Sequence, residues 1–281
     1  MKTEIMNQDK LKQYFFQLKL PEKDSHKGQN GKLLLIGGSY LFHAASKWSL
    51  DVASKIVDMV FYSSVSTNNE LVQKAKGEFW NGIVVERSHL WDYLQEADCV
   101  LIGPGMERNE ETEKLVNELL QKYPEKKFVI DAGALQMADP HLFSSNHIIT
   151  PHTIEMHNLQ LRCKESAVQL EEKRITILQK GVIDTVSWFE MDDESNSNQC
   201  TKKIIEITGG NEGMTKGGTG DVLAGLVAAL YCTSQAHISA IVASATNKQA
   251  GDELYKTVGP FFNASDLVEQ IPKTLWQLVL E

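Results

Sequence analysis

The chain has 281 residues, 42% hydrophobic and 23% charged, which is ordinary for a globular protein able to bury a large core. Its formal net charge of −9 excludes a general nucleic-acid binder, which needs basic surface to displace counterions. A site for an anionic ligand must then be built locally, from backbone N–H groups and a few lysines.

In chain order, Met1 to Lys10 is polar and lacks the apolar core of a signal peptide. Apolar runs bounded by glycine follow and predict buried strands at Lys32–Ile36, Met59–Tyr62, Cys99–Ile102, Phe128–Ile130, His147–Ile149 and Ile175–Leu178. Helices are predicted between them, at Ala45–Ile56 and Glu110–Tyr123. This alternation implies a parallel sheet with helices on both faces. After Leu178 the pattern changes. Asp184–Phe189 and Lys203–Thr208 flank a polar run, Asp192 to Gln199, and predict an antiparallel hairpin. Helices close the chain at about Val222–Cys232, His237–Thr257 and Ala264–Leu280. The expected fold class is α/β: a three-layer α/β/α domain, mostly parallel, with an antiparallel hairpin extension.

No Pro/Ser-rich linker divides the chain, so one domain over residues 1–281 is expected. The apolar stretch Val222 to Cys232 falls short of the about 20 residues that span a bilayer. A soluble cytoplasmic protein without membrane or nucleic-acid partners is the expectation. Cys99, Cys163, Cys200 and Cys232 form no C-x-x-C pair, which argues against structural zinc and for reduced thiols.

Ligands of such sheets bind beyond the carboxyl ends of the strands. Gly37-Gly38-Ser39 and Gly103-Pro104-Gly105 fall there. The most informative segment is Gly217-Gly218-Thr219-Gly220-Asp221, followed at once by an apolar helix pattern. Glycines let backbone approach a ligand closely, and a helix start presents unpaired N–H groups with a positive dipole end. Together they form an anion cradle. Asp221 is either the N-cap of that helix or a base accepting a proton from a hydroxyl that attacks phosphorus. As a base it is expected to be weak, its pKa lowered by the helix end.

The segment is not a Walker A loop, because Lys216 precedes the glycines, and Gly37-Gly38-Ser39 lacks the later glycines of the dinucleotide fingerprint. In Thr150-Pro151-His152-Thr153-Ile154-Glu155, His152 and Glu155 either share a cleft face or form a capping box. Asp131 ends a predicted strand at the same edge. Lys180-Gly181 either touches a nucleotide or turns the chain.

Taken in order, these motifs resemble the ribokinase-like superfamily, and within it the ADP- or ATP-dependent NAD(P)H-hydrate dehydratases (the YjeF-related carbohydrate-kinase group). The likeness is carried by His26-Lys27-Gly28, Ile36 to Ser39, Ile102 to Gly105, Val129 to Ala132, Thr150 to His152 with Glu155, Lys180-Gly181, Asn211 to Asp221, and Ala264-Ser265-Asp266. The resemblance implies a hydro-lyase that repairs hydrated NADH and NADPH. The 6-hydroxyl of the hydrate is phosphorylated from ATP or ADP, and phosphate is then eliminated.

By the same resemblance Asp221 is the catalytic base. Lys180, Gly181, Val182, Ile183, Asp184, Asn211, Glu212, Gly213, Met214, Thr215, Lys216, Gly217, Gly218, Thr219 and Gly220 hold the donor nucleotide. Ala45, Gly105 and His152, with Asp221, contact the NAD(P)H hydrate. Mg²⁺ bridges the donor phosphates, with Glu155 acting on it through water. A homo-oligomer, a tetramer by family analogy, is implied. The epimerase domain often fused to this family in bacteria is not expected before His26.

The chain departs from the family pattern on the substrate side. Tyr40-Leu41-Phe42-His43-Ala44-Ala45 replaces the usual Gly-Tyr-x-Gly-Ala, Met106-Glu107 replaces Leu-Gly, and Thr153-Ile154 replaces Pro-Gly. Two alternatives stand beside the dehydratase. One is a ribokinase-like kinase for hydroxymethylpyrimidine, hydroxyethylthiazole or a sugar, against which His152 and Gly103-Pro104-Gly105 count. The other is a nucleotide sensor without chemistry, which has no need of Asp221.

Overall fold

Four successive leucine and isoleucine side chains, Leu33 to Ile36, are fully buried, because the strand that carries them has helices on both faces. The computed structural model describes residues 3–5, 8–75, 81–191 and 200–280; the predicted polar loop Asp192–Gln199 lies outside them. Along the chain run β1 (Thr3–Ile5), α1 (Gln8–Phe16), β2 (Lys32–Ile36), α2 (His43–Ala53), β3 (Met59–Ser63), α3 (Ser66–Lys74), β4 (Gly82–Val84) and α4 (Leu90–Glu96). β5 (Cys99–Ile102), α5 (Glu110–Lys122), β6 (Lys127–Ile130), α6 (Ala132–Met137), β7 (His147–Ile149), α7 (Thr153–Glu165), α8 (Leu170–Lys173) and β8 (Thr176–Gln179) follow. The hairpin β9 (Asp184–Met191) and β10 (Cys200–Ile207) comes next, then α9 (Thr219–Thr233), α10 (Ala236–Val258) and α11 (Ala264–Leu280).

Among the described residues the sheet has ten strands, in the order β1-β10-β9-β8-β7-β6-β5-β2-β3-β4. β4 through β8 are parallel, whereas β9 runs antiparallel to both β8 and β10. The expected α/β/α layering and hairpin extension are present. Alternate strand residues face opposite sides, as the period of two requires. Leu33, Leu35, Leu101, Val129 and Leu178 pack with α2, α9, α10 and α11, while Leu34, Ile36, Val100, Phe128 and Ile130 join the layer that includes α5 and α7. Two strands, β1 and β4, were not predicted. Each has three residues at a sheet edge, too few for an alternation signal.

Strand order reverses at β2, which pairs with β3 on one side and β5 on the other. Chains leave the carboxyl ends of β2 and β5 in divergent directions there, opening a crevice. The glycine motifs after both strands lie in it. α9 is buried on nearly every side between α2, α10 and the sheet, which explains why its pattern is apolar throughout.

Candidate active site

The floor of the crevice is backbone. Gly38 N–H donates to Pro104 O at 2.7 Å, and Gly103 N–H to Ile36 O at 3.1 Å, which ties the two glycine loops together. Gly103 has φ +125°, and a Cβ there would lie 1.8 Å from Asp131 O, so any side chain would push the β6 terminus away. A Cβ on Gly105 would meet Ala45 Cβ at 3.0 Å and Gly38 Cα at 3.2 Å. The predicted substrate residues Ala45 and Gly105 are therefore neighbours, although 60 positions separate them in the sequence.

Beside this floor stands a charged centre. Asp131, almost fully buried at the end of β6, accepts from Thr150 Oγ1 at 2.7 Å and from Lys180 Nζ at 2.8 Å. Lys180 follows β8, and the ladder to β7 extends as far as a bridge between His152 and Lys180. Burial opposes the Lys180 charge, but Asp131, Glu155 and Asp221 together carry its ammonium above the ordinary lysine value. Lys180 thus both turns the chain and presents a cation at the helix start. A Cβ on Gly220 would lie 3.6 Å from its Nζ.

Asp221 departs from the N-cap reading and from the lowered pKa expected of it as a base. The N-cap of α9 is Gly218, at φ +99°, and Asp221 sits in the first turn instead. Its pKa is not lowered but pushed up to about 7, chiefly by burial, then by Asp131, with Glu155 adding and Lys180 opposing. Desolvation and two neighbouring carboxylates outweigh the helix end, whose partial charge is only about half a unit. Ser49 Oγ donates to Asp221 O at 2.8 Å and fixes this turn against α2.

His152 and Glu155 form the capping box. His152 Nδ1 accepts from Ile154 N and Glu155 N, at 3.1 and 3.3 Å, and Glu155 Oε2 accepts from His152 N at 2.9 Å. The capping-box reading holds; of the two side chains the half-exposed His152 ring borders the cleft, whereas Glu155 is not among the residues that line it. Glu155 is buried, and its Oε1 accepts from Gln136 at 3.0 Å.

A cleft of about 550 Å³ opens from Lys180 and Gly220 toward α10. Of the predicted donor residues, Lys180, Gly181, Val182, Asp184, Asn211, Glu212, Met214, Thr215, Thr219 and Gly220 line it. The others support it from behind or beside. Gly213 packs under Phe262, Gly218 packs against Trp48, and Lys216 bonds Pro260 O and lies over the Phe262 ring. Gly217 faces open space, and Ile183 is half-exposed on the rim. The Asp184 carboxylate turns inward, accepting from Gly181 N at 2.9 Å and Ser244 Oγ at 2.7 Å.

The sequence reading missed Asn247 and Lys248 on α10. Lys248 Nζ donates to Val182 O at 2.9 Å and lies 3.5 Å from Asp184, so it holds the 181–184 loop in place. Asn247 lines the cleft with a buried Oδ1 that has no partner among the described residues. Nothing in a helix pattern of alanines and serines marks either one.

The family model described as NAD(P)H-hydrate dehydratase matches residues 33–273. The chain belongs to the NAD(P)H-hydrate dehydratase family. It is 36% identical over 267 residues to the bifunctional NAD(P)H-hydrate repair enzyme of Methanocaldococcus jannaschii, covering 92% of this chain and 50% of that one. The chain spans about half the length of such bifunctional relatives. It is 31% identical to the ADP-dependent (S)-NAD(P)H-hydrate dehydratase of Nitrosopumilus maritimus, covering 88% of this chain and 89% of the relative.

Among solved structures, a ribokinase-like superfamily protein from Enterococcus faecalis superposes with a TM-score of 0.79 at 22% identity, covering 98% and 96% of the two chains. The ADP/ATP-dependent NAD(P)H-hydrate dehydratase of Bacillus subtilis, co-crystallised with ATP and Mg²⁺, gives 0.70 at 19% identity, covering 95% of this chain and 97% of that one. These likenesses establish the ribokinase-like fold. The span matched to the NAD(P)H-hydrate dehydratase family runs from β2 into α11 and so holds every element around the cleft.

Proposed function

We propose that this protein restores hydrated NADH and NADPH in an ATP- or ADP-dependent dehydration. The observation that carries the reading is Asp221. It is a carboxylate with a pKa near 7, at a helix start with no side-chain cap, between the backbone floor and the cleft. A base with that pKa is matched to proton abstraction at neutral pH.

Two features of the cleft fit a nucleotide. The uncapped start of α9 with open space at Gly217 suits phosphate, and the orphan Asn247 Oδ1 suits a purine amino group. Magnesium fits only through water and phosphate. Among the described residues no three His, Cys, Asp or Glu side chains cluster to hold a metal, whereas Glu155 has a buried carboxylate beside the cleft. When bound, the donor supplies the phosphoryl group and Mg²⁺ lowers the charge on its phosphates.

Ala45, Gly105 and His152 hold the hydrated ring so that its 6-hydroxyl faces Asp221. Asp221 takes the hydroxyl proton as that oxygen bonds to the terminal phosphorus and the bond to the donor breaks. Lys180 and the N–H groups at the start of α9 stabilise the negative charge spread over the phosphoryl oxygens. Phosphate then leaves the ring carbon and a proton leaves its neighbour, which restores the double bond.

Among the described residues no helix is long and apolar enough to cross a membrane. The proposed setting is the cytoplasm. The test supplies purified protein and Mg²⁺ with hydrated NADH or NADPH and either donor, and follows the absorbance band of the reduced nicotinamide. Recovery of that band supports the reading. Phosphorylation of hydroxymethylpyrimidine, hydroxyethylthiazole or a sugar with no recovery would transfer the case to a kinase.

A further inference from the structure

At the carboxyl ends of β3 and β4, next to the glycine floor, three buried polar groups lack hydrogen-bond partners among the described residues: Ser63 Oγ, Asn69 Nδ2 and Arg87 Nη1. They lie at the end of β3, on α3 and just after β4, and β3 and β4 are adjacent strands. Ser63 ends β3 in register with Ile36, and its carbonyl accepts from Gly37 N at 3.1 Å. Asn69 turns its Oδ1 onto Ser64 N at 3.0 Å, so its amide is left as a pure donor. Arg87 follows Val85, whose N–H donates to Tyr62 O at 2.8 Å.

The neighbouring Asn68 Nδ2 bridges Ser64 Oγ and Ser39 O, both at 3.0 Å, which joins the cluster to the Gly38-Ser39 turn. A Cβ on Gly38 would meet Ser64 Oγ and Asn68 Nδ2 at 2.6 Å, so the sequence neighbours of Ser63 and Asn69 pack directly against the floor. Strand spacing puts β4 about 10 Å from β2, within reach of an extended dinucleotide whose ring lies at Asp221.

A buried polar group left without a partner costs free energy, and two of these three atoms can only donate. What would satisfy them is an acceptor that carries charge. We infer that Ser63, Asn69 and Arg87 form a second subsite on the substrate side that binds a phosphate of the nicotinamide dinucleotide. Burial pushes the Arg87 guanidinium down to about 10, with Glu111 and the Tyr62 hydroxyl acting against that, so it keeps its charge at neutral pH. An overall charge of −9 makes a local cation necessary for such a ligand. The inference rests on the proposed substrate class, and Lys180 and Lys248, on the donor side, play no part in it.

Calorimetric titration of NADH and NADPH into the wild type and Arg87→Met tests the subsite independently of turnover. Affinity for at least one dinucleotide should fall by roughly tenfold or more, the worth of a charged hydrogen bond, with ATP affinity unchanged. A loss confined to NADPH identifies the 2′-phosphate, and a loss for both identifies the bridging pyrophosphate. Unchanged binding of both dinucleotides would overturn the inference and leave the cluster as a water site. Arg87-dependent binding without any repair of hydrates would sink the functional proposal and spare the subsite. If Arg87→Met does not fold, Ser63→Ala should still weaken dinucleotide binding about twofold to fivefold. No change in that variant would likewise contradict the inference.

Discussion

On the side of Asp221 proposed for the donor, three glycine-bearing segments line the cleft: the start of α9, the 209–215 stretch and the 181–184 loop held by Lys248. On the side proposed for the substrate, the glycine floor is backed by side chains from α2, the end of β3, α3 and the stretch after β4, namely Ser46, Tyr62, Ser64, Asn68 and Arg87. Ser46 Oγ and Tyr62 OH lie 2.8 Å apart in this layer, fully buried. A main-chain cradle constrains where glycine must stand and little else. A side-chain pocket depends on the packing of every segment behind it, and it can change with single substitutions while the fold persists. The unusual Tyr40 to Ala45 stretch packs against this floor at Gly105, which Met106-Glu107 follows, whereas Thr153-Ile154 follows His152 at the cleft.

Asp221, where the two sides meet, should show the largest effect. Asp221→Asn is expected to lower turnover by roughly 10²–10⁴ with donor affinity nearly unchanged. A folded-state pKa of about 7 lies above the ordinary aspartate value, so the native protein binds the extra proton between the two. Stability then falls as pH rises from about 4 to 7, and replacing the charge with an amide should stabilise the fold at pH 8 by on the order of 1 kcal/mol. Denaturant titration checks the sign. A loss of stability would mean that the carboxylate serves the helix start after all.

Lys180→Met leaves Asp131 buried and unpaired and should cost about 3 kcal/mol, read by the same titration. A pair of glycine variants then separates cradle from packing. Gly218→Ala forces a side chain into Trp48 at a positive φ and should destabilise by about 1–3 kcal/mol. Gly217→Ala meets nothing within 4 Å, so its stability should hold while the KM for the donor rises. Equal stability losses in both would show that the loop is only structural. Smallest is Asn247→Leu, expected to raise the KM for the adenine nucleotide about threefold to tenfold without altering the KM for the hydrate.

How much of this was legible follows from the same division. Strand cores such as Lys32–Ile36 and Cys99–Ile102 match the prediction to the residue, because uninterrupted apolar runs leave little room for error. The glycine-rich start of α9 was visible as Gly217 to Asp221. The sign of the Asp221 pKa was not, since it depends first on burial in the fold and then on Asp131 and Glu155, which the fold brings up from 90 and 66 positions away. Asn247 and Lys248 were invisible for the same reason, and so was the Ser63, Asn69 and Arg87 cluster. Each of these residues takes its meaning from what the fold packs around it, as Lys248 does from the 181–184 loop.

The most direct measurement is the pH dependence of kcat/KM for hydrated NADH, in the wild type and Asp221→Asn side by side. The account predicts a wild-type acid limb with an apparent pKa near 7, absent from the residual activity of the variant. Wild-type turnover in the variant, or an acid limb in the ordinary carboxylate range near about 4, would contradict it.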